Sequence, residues 1–219
     1  LSFELKDRLY ALDYAGHAFP VEGLGPGRRV AIWLRGCDRR CAGCISPELW
    51  EPGEATPVAE IAAALAPLLA QADGLTVSGG EPFYQAEALA ALIELLRRQA
   101  DMEVMVYTGF LLEELAARGG ASTALLESID MLIDGPFEEN TPNTLRWRGS
   151  DNQRAHLLTE RARRHAEEAI SPMPEPRPLQ VQMIGLTRYR IIGIPRRGDM
   201  DAYRVAMAAR GLEVRPDNG

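Results

Sequence analysis

Arg29-Val30-Ala31-Ile32-Trp33-Leu34-Arg35-Gly36-Cys37-Asp38-Arg39-Arg40-Cys41-Ala42-Gly43-Cys44 decides the fold of this chain. Val30 to Leu34 is an apolar run of the kind that forms a strand buried on both faces. It delivers the chain into a loop that holds all three cysteines of the 219 residues, spaced C-x3-C-x2-C. An odd count at such tight spacing is not a disulfide framework. Three thiolates suit three irons of a four-iron cluster, which leaves the fourth iron free of cysteine and open to a substrate or cofactor. A structural zinc site is the competing reading. Zinc wants a fourth ligand, and His17, His156 and His165 all lie far from the loop in sequence.

Outward from this strand, apolar runs alternate with helical patterns. Leu75–Ser78, Glu103–Tyr107 and Met131–Asp134 read as short strands. Val58, Ile61, Leu65 and Leu68 recur at helical spacing, as do Leu89, Leu92, Ile93 and Leu96. Thr56 is expected to cap the first of these helices, with Pro57 at its first position and Pro67 bending or ending it. One or two further short helices are expected between Leu111 and Ser128. Strand and helix in this order predict an α/β fold with a parallel sheet and right-handed crossovers. Such sheets bind ligands at the carboxyl ends of their strands. Here those ends carry Cys37, Gly79-Gly80, Thr108-Gly109 and Asp134.

The composition changes after about Glu160. A charged stretch leads into Ser171-Pro-Met-Pro-Glu-Pro-Arg-Pro178, so residues 161–178 read as a stiff linker between a core over 1–160 and an extension over 179–219. Leu179–Leu186 and Tyr189–Ile194 read as a hairpin, and Met200, Tyr203 and Met207 as one face of a helix closed by Gly211. The net charge of −7 argues against nucleic acid as a partner. No apolar run approaches the roughly 20 residues of a membrane-spanning helix. The opening residues carry no secretory pattern, and unpaired thiols in a metal-type loop point to the cytoplasm.

The motifs together resemble the radical S-adenosylmethionine enzymes, and more closely the anaerobic ribonucleotide reductase activating proteins of the glycyl-radical activase group. The resemblance runs through Gly25-Pro26-Gly27, the cysteine loop, Pro47 and Trp50, Ser78-Gly79-Gly80-Glu81-Pro82 and Val106-Tyr107-Thr108-Gly109. It ends with Ile129–Gly135 and Trp147-Arg148-Gly149-Ser150-Asp151-Asn152-Gln153-Arg154. About two thirds of the chain is covered. The resemblance implies a partial (β/α) barrel. It implies a 4Fe-4S cluster on Cys37, Cys41 and Cys44, with S-adenosylmethionine chelating the open iron. It assigns Gly79, Gly80 and Glu81 to the methionyl amino group. Thr108, Asp134, Ser150 and Asn152 become candidate cofactor contacts, with turn and loop hydrogen bonding as the alternative for each. Reductive cleavage would yield methionine and a 5′-deoxyadenosyl radical, used to install a glycyl radical on a large partner subunit. The expected electron donor is a flavodoxin or ferredoxin, with Arg39 and Arg40 either docking it or simply solvated.

Two other functions stay open. One is a radical S-adenosylmethionine enzyme acting on a small molecule or ribosomal peptide. Relatives that make 7-carboxy-7-deazaguanine usually show Cys-Asp-Thr at the last cysteine, where this chain reads Cys44-Ile45-Ser46. The other is a non-catalytic iron–sulfur carrier or zinc scaffold, which would not need the Gly-Gly-Glu-Pro turn.

Overall fold

A computed structural model of the chain describes residues 10–184 and 188–211. In chain order the elements are β1 (Ala11–Val21), β2 (Arg29–Leu34), β3 (Ala55–Pro57), α1 (Val58–Leu69), β4 (Gly74–Gly79), α2 (Ala86–Arg97), β5 (Glu103–Tyr107) and α3 (Leu112–Arg118). There follow α4 (Gly120–Glu127), β6 (Met131–Asp134), β7 (Arg154–Leu157), α5 (Glu160–Arg163), α6 (Ala166–Ala169), β8 (Gln180–Ile184), β9 (Arg188–Ile192) and α7 (Asp199–Ala208). Seven strands form one sheet in the order β3-β1-β2-β4-β5-β6-β7, and β8 pairs with β9 alone. The central strands β2, β4, β5 and β6 are parallel. β1, β3 and β7 pair antiparallel at the flanks. The chain is therefore mixed α/β with a mostly parallel central sheet.

Period-two alternation sorts the strand residues onto two faces. Val30, Ile32, Leu34, Leu75, Val77, Val104, Val106 and Leu132 share one core with Ile61 and Leu65 of α1 and Leu89, Leu92, Ile93 and Leu96 of α2. The opposite face carries Ala31 and Trp33, which pack with Ala18 and Val21 of β1 and Ile192 of β9. Further along the same face, Met105, Met131 and Ile133 pack with Trp147, Ala162 and Ala169. This second face is called the inner face below.

Arg29 fastens the amino ends of three strands. It is fully buried. Its guanidinium donates to Thr76 Oγ1, to the carbonyls of Pro26, Leu75 and Glu103, and to Glu103 Oε1.

Four expectations need correction or refinement. Thr56 does not cap a helix: it lies in β3 opposite Leu12 of β1, and α1 begins at Val58 with Pro57 at its N-cap. The competing strand pairing, closed by Val58 N–H donating to the Tyr10 carbonyl, takes Thr56 first. Pro67 does not break α1, because it falls in the last turn before Leu69. Residues 161–178 are more than a linker. They hold most of α5 and all of α6, and they bury Ala162, Ala169 and Met173. The expected hairpin and helix are present as β8, β9 and α7, although residues 185–187 lie outside the described residues.

Candidate functional site

β2 ends at Leu34 and passes directly into the cysteine loop. Gly36 N–H donates to the Leu49 carbonyl (2.9 Å) and Cys37 N–H to the Trp50 carbonyl (2.8 Å), so the loop closes on a 3-10 turn at Pro47–Leu49. Cys44 N–H donates to the Cys41 carbonyl (3.1 Å). All three thiols are free and half-buried. Burial pushes the Cys37 and Cys44 thiols up. The Arg39 and Arg40 backbone opposes this at Cys37, and the Ser46 backbone and Trp50 side chain oppose it at Cys44. Coordination to a metal would deprotonate them outright.

The donor set distinguishes the two metal readings. Among the described residues, no group of three His, Cys, Asp or Glu is placed to hold a single ion. A cubane offers a separate iron to each thiolate, so its three sulfurs need not meet at one point. The histidines are engaged elsewhere: His17 with Tyr14, His156 with Asp134, and His165 with Glu103. The residues present fit a four-iron cluster and not a four-ligand zinc site.

Gly79 and Gly80 stand where β4 meets the cysteine strand. Gly79 has φ +112°, and a Cβ on it would strike the Leu34 backbone. A Cβ on Gly80 would come within 2.5 Å of the Gly36 carbonyl oxygen. Gly80 N–H donates to the Leu34 carbonyl (2.7 Å) and Glu81 N–H to the Gly36 carbonyl (2.8 Å). The glycines thus let β4 lock onto the strand that carries Cys37. Arg39 is placed in the same way. Its guanidinium lies over Phe110, 4.5 Å from the ring centroid, and its side chain covers Gly109, which ties the loop to the end of β5.

Glu81 is 1% exposed. Its Oε1 accepts from Phe83 N–H (3.0 Å) and Thr108 Oγ1 (2.8 Å), and its Oε2 from Gly109 N–H (2.8 Å). Burial pushes this carboxyl up, against the pull of those donors and of Arg39. In this arrangement Glu81 and Thr108 brace the end of β4 to the end of β5. Asp134 is fully buried on the helix side of the sheet. It accepts from Leu112 N–H (2.7 Å) and Arg154 Nε (3.0 Å), with His156 Nε2 3.0 Å away. Burial alone would raise its carboxyl. Arg154, Leu112 and His156 outweigh that and hold it below the ordinary range. Ser150 Oγ accepts from Glu138 N–H (3.1 Å), and Asn152 Nδ2 donates to the Pro136 carbonyl (2.8 Å). Gln153 bridges Gly149 N–H and the Gly135 carbonyl.

The structure brings Gly79, Gly80, Glu81 and Thr108 together beside the strand that leads into Cys37, while Asp134 ends β6 and Ser150 and Asn152 lie in the loop after it, bonded to Leu112, Glu138 and Pro136; Thr108 and Asp134 take the opposite face from Trp33 and Tyr107. The alternation Val104, Val106, Thr108 carried that signal in the sequence. The bracing role of Arg39 had no sequence signal, because it depends on Phe110 and Gly109 arriving from another strand.

Comparison with known proteins agrees with this geometry. The sequence profile of a 4Fe-4S single cluster domain matches residues 23–156. The anaerobic ribonucleoside-triphosphate reductase-activating protein of Enterobacteria phage T4 is 30% identical over 167 residues, which spans 73% of this chain and 97% of that protein. The protein of the same name from Vibrio cholerae is 33% identical over 64% of this chain and 96% of its own. The pyruvate formate-lyase-activating enzyme of Staphylococcus aureus is 37% identical over 93 residues, 37% of either chain. With three thiols on a loop suited to a cubane and a profile match that runs through the parallel strands and their helices, the chain belongs to the 4Fe-4S single cluster family of radical S-adenosylmethionine activating proteins.

Proposed function

We propose that this chain is an activase that installs a glycyl radical on a large partner enzyme of the anaerobic ribonucleoside-triphosphate reductase type. In this reading the sheet is the open barrel of a radical S-adenosylmethionine enzyme, and Cys37, Cys41 and Cys44 hold a 4Fe-4S cluster at its rim. Cys37, Cys41 and Cys44 would hold the cluster, which would supply the electron for reductive cleavage of S-adenosylmethionine and so the radical chemistry directed at the partner's glycine. The chain's own residues position these parts. Gly79, Gly80 and Glu81 hold the β4 end against the cysteine strand and present its backbone to the cofactor. Thr108 keeps Glu81 in place. Asp134, Ser150 and Asn152 shape the loops that frame the mouth.

The observation that carries the reading is the junction of Cys37 with Gly79-Gly80-Glu81. Backbone hydrogen bonds from Gly80 and Glu81 reach the strand end that leads into Cys37. A four-iron cluster and a cofactor bound beside it would share that corner. Residues 179–211 are assigned to partner choice, and the reductant to an acidic flavodoxin or ferredoxin. Arg39 lies over Phe110, whereas Arg40 pairs with Glu51 (2.5 Å) on the exposed side of the loop and is the arginine of the two left to meet such a donor. No helix among the described residues is long and apolar enough to cross a membrane.

Anaerobic reconstitution with iron and sulfide tests the proposal. The reduced protein should show an electron paramagnetic resonance signal that changes on adding S-adenosylmethionine. Adding the anaerobic reductase of the same organism should produce a glycyl radical and one 5′-deoxyadenosine per radical. Cofactor cleavage without any radical on the reductase would shift the reading to a small-molecule or peptide substrate. The hairpin lying across the inner face is the observation that favours that alternative.

A further inference from the structure

Trp50 closes the cysteine loop from outside the C-x3-C-x2-C stretch. Its carbonyl accepts from Cys37 N–H (2.8 Å), and its own N–H donates to the Pro47 carbonyl (3.2 Å). Its half-buried side chain donates to the Cys44 sulfur. Tryptophan has one side-chain donor, the indole Nε1–H, so it is that edge of the ring that meets the sulfur. One residue thus bonds the first cysteine through its backbone and the last through its side chain.

Arg40 holds the ring from the loop itself. Its guanidinium carbon lies 5.7 Å from the Trp50 ring centroid, and the same guanidinium pairs with Glu51 (2.5 Å). Arg40 has φ +43°, a left-handed conformation that residues other than glycine seldom adopt. The remaining donors to these sulfurs are backbone groups, of Arg39 and Arg40 at Cys37 and of Ser46 at Cys44. Trp50 is the donor that comes from a side chain, and so the one that a substitution can remove while the loop backbone stays as it is.

A thiol is a weak acceptor, but a thiolate that ligates iron carries charge and is a stronger one. One-electron reduction of a four-iron cluster adds negative charge, shared by the ligating sulfurs. A donor aimed at such a sulfur favours the reduced form over the oxidised form and raises the reduction potential. A ring that only kept water from the cluster would act in the opposite direction, because water stabilises the more highly charged form. The two roles differ in sign.

We propose that Trp50 is a positioning residue that raises the reduction potential of the cluster through its hydrogen bond to Cys44, with Arg40 fixing the ring for that purpose. The inference rests on the cluster assigned in the proposed function.

The test uses the full chain reconstituted anaerobically with iron and sulfide, without S-adenosylmethionine or reductase, so that no turnover occurs. Titration with dithionite and mediators, followed by electron paramagnetic resonance, gives the midpoint potential of wild type and of Trp50→Phe. A third protein carries benzothienylalanine at position 50, which keeps the shape of the indole and replaces its N–H by sulfur. Both altered proteins should bind as much iron as wild type. Their reduction equilibrium should fall about 10-fold, which for one electron is a potential about 59 mV more negative. A potential unchanged or raised in the benzothienyl protein defeats the inference and makes Trp50 a cover for the loop. Loss of iron from both altered proteins defeats it as well, since Trp50 would then be part of the loop's structure. Wild type that assembles no reducible cluster defeats the functional reading together with it.

Discussion

Gly79 shows how one residue type serves packing at a catalytic rim. Its φ of +112° is costly for any side chain, and a Cβ would enter the Leu34 backbone. Gly79→Ala should therefore destabilise the chain by about 1–3 kcal/mol. It should also lower iron bound per chain, because Leu34 lies three residues before Cys37. Urea unfolding and iron analysis check both; a stable variant with full iron content would show that the strand end tolerates displacement. Asp134 supplies a second test through pH. Its folded carboxyl titrates below the roughly 3.9 of an unfolded aspartate. Its contribution is then complete above about pH 5 and is lost as pH falls through the folded value. Asp134→Asn should be less stable than wild type near neutrality, and the gap should narrow below about pH 4. A gap of constant size from pH 7 to pH 3 would mean that the charge of Asp134 is not what holds Leu112, Arg154 and His156.

Elements are held together by a different set of groups at the opposite end of the strands. Arg29 joins β2 to β4 and β5 from a fully buried position, while Glu103 also faces Arg164 (3.4 Å) and His165 (3.2 Å). Removing the cation takes a donor from three carbonyls and from Thr76 Oγ1 and leaves the buried Glu103 carboxylate only Arg164 and His165, so Arg29→Met should cost about 3–5 kcal/mol. Glu103→Gln should cost less, because Arg29 keeps Thr76 and the carbonyls of Pro26, Leu75 and Glu103. Equal losses in chemical denaturation would contradict this ordering. The elements themselves were largely legible from the chain. Apolar runs marked the four parallel strands, and helical spacing marked α1 and α2. What periodicity could not reveal was pairing partners: β1 and β3 form because Ala11–Asp13 meets Ala55–Pro57 in space, and that meeting takes Thr56 from its expected cap. The cysteine trio and the Gly-Gly-Glu-Pro turn were readable because each is local.

At the scale of the molecule, the question is what residues 179–211 add beyond the stretch that the family profile matches. About two thirds of this chain spans nearly the whole length of the phage and Vibrio proteins, and the family match ends at residue 156. Residues 161–178 nevertheless belong with the core, because Ala162 and Ala169 pack against Trp147 on the inner face. The hairpin is the separable part. It lays Ile192 against Trp33 and Ala18, sets the Arg190 guanidinium 4.5 Å from the Trp33 ring centroid, and bonds Arg190 to the Ala15 carbonyl (3.2 Å). Truncation after Pro178 removes the burial of Ile192, worth about 1.5–3 kcal/mol, and costs more as Trp33 and Ala18 meet water. Chemistry at the rim uses no group from the hairpin, so the truncated chain should still bind a cluster and release 5′-deoxyadenosine at a rate within a few-fold of the full chain. Radical installed on the reductase should fall instead, since a partner segment entering the mouth would pass the edge that β8 and β9 now form. Milder loosening by Arg190→Ala, which keeps the hairpin but removes its hold on Trp33, should move the ratio of glycyl radical to 5′-deoxyadenosine in the same direction. A ratio unchanged in both variants would make the hairpin a cover for Trp33 and nothing more.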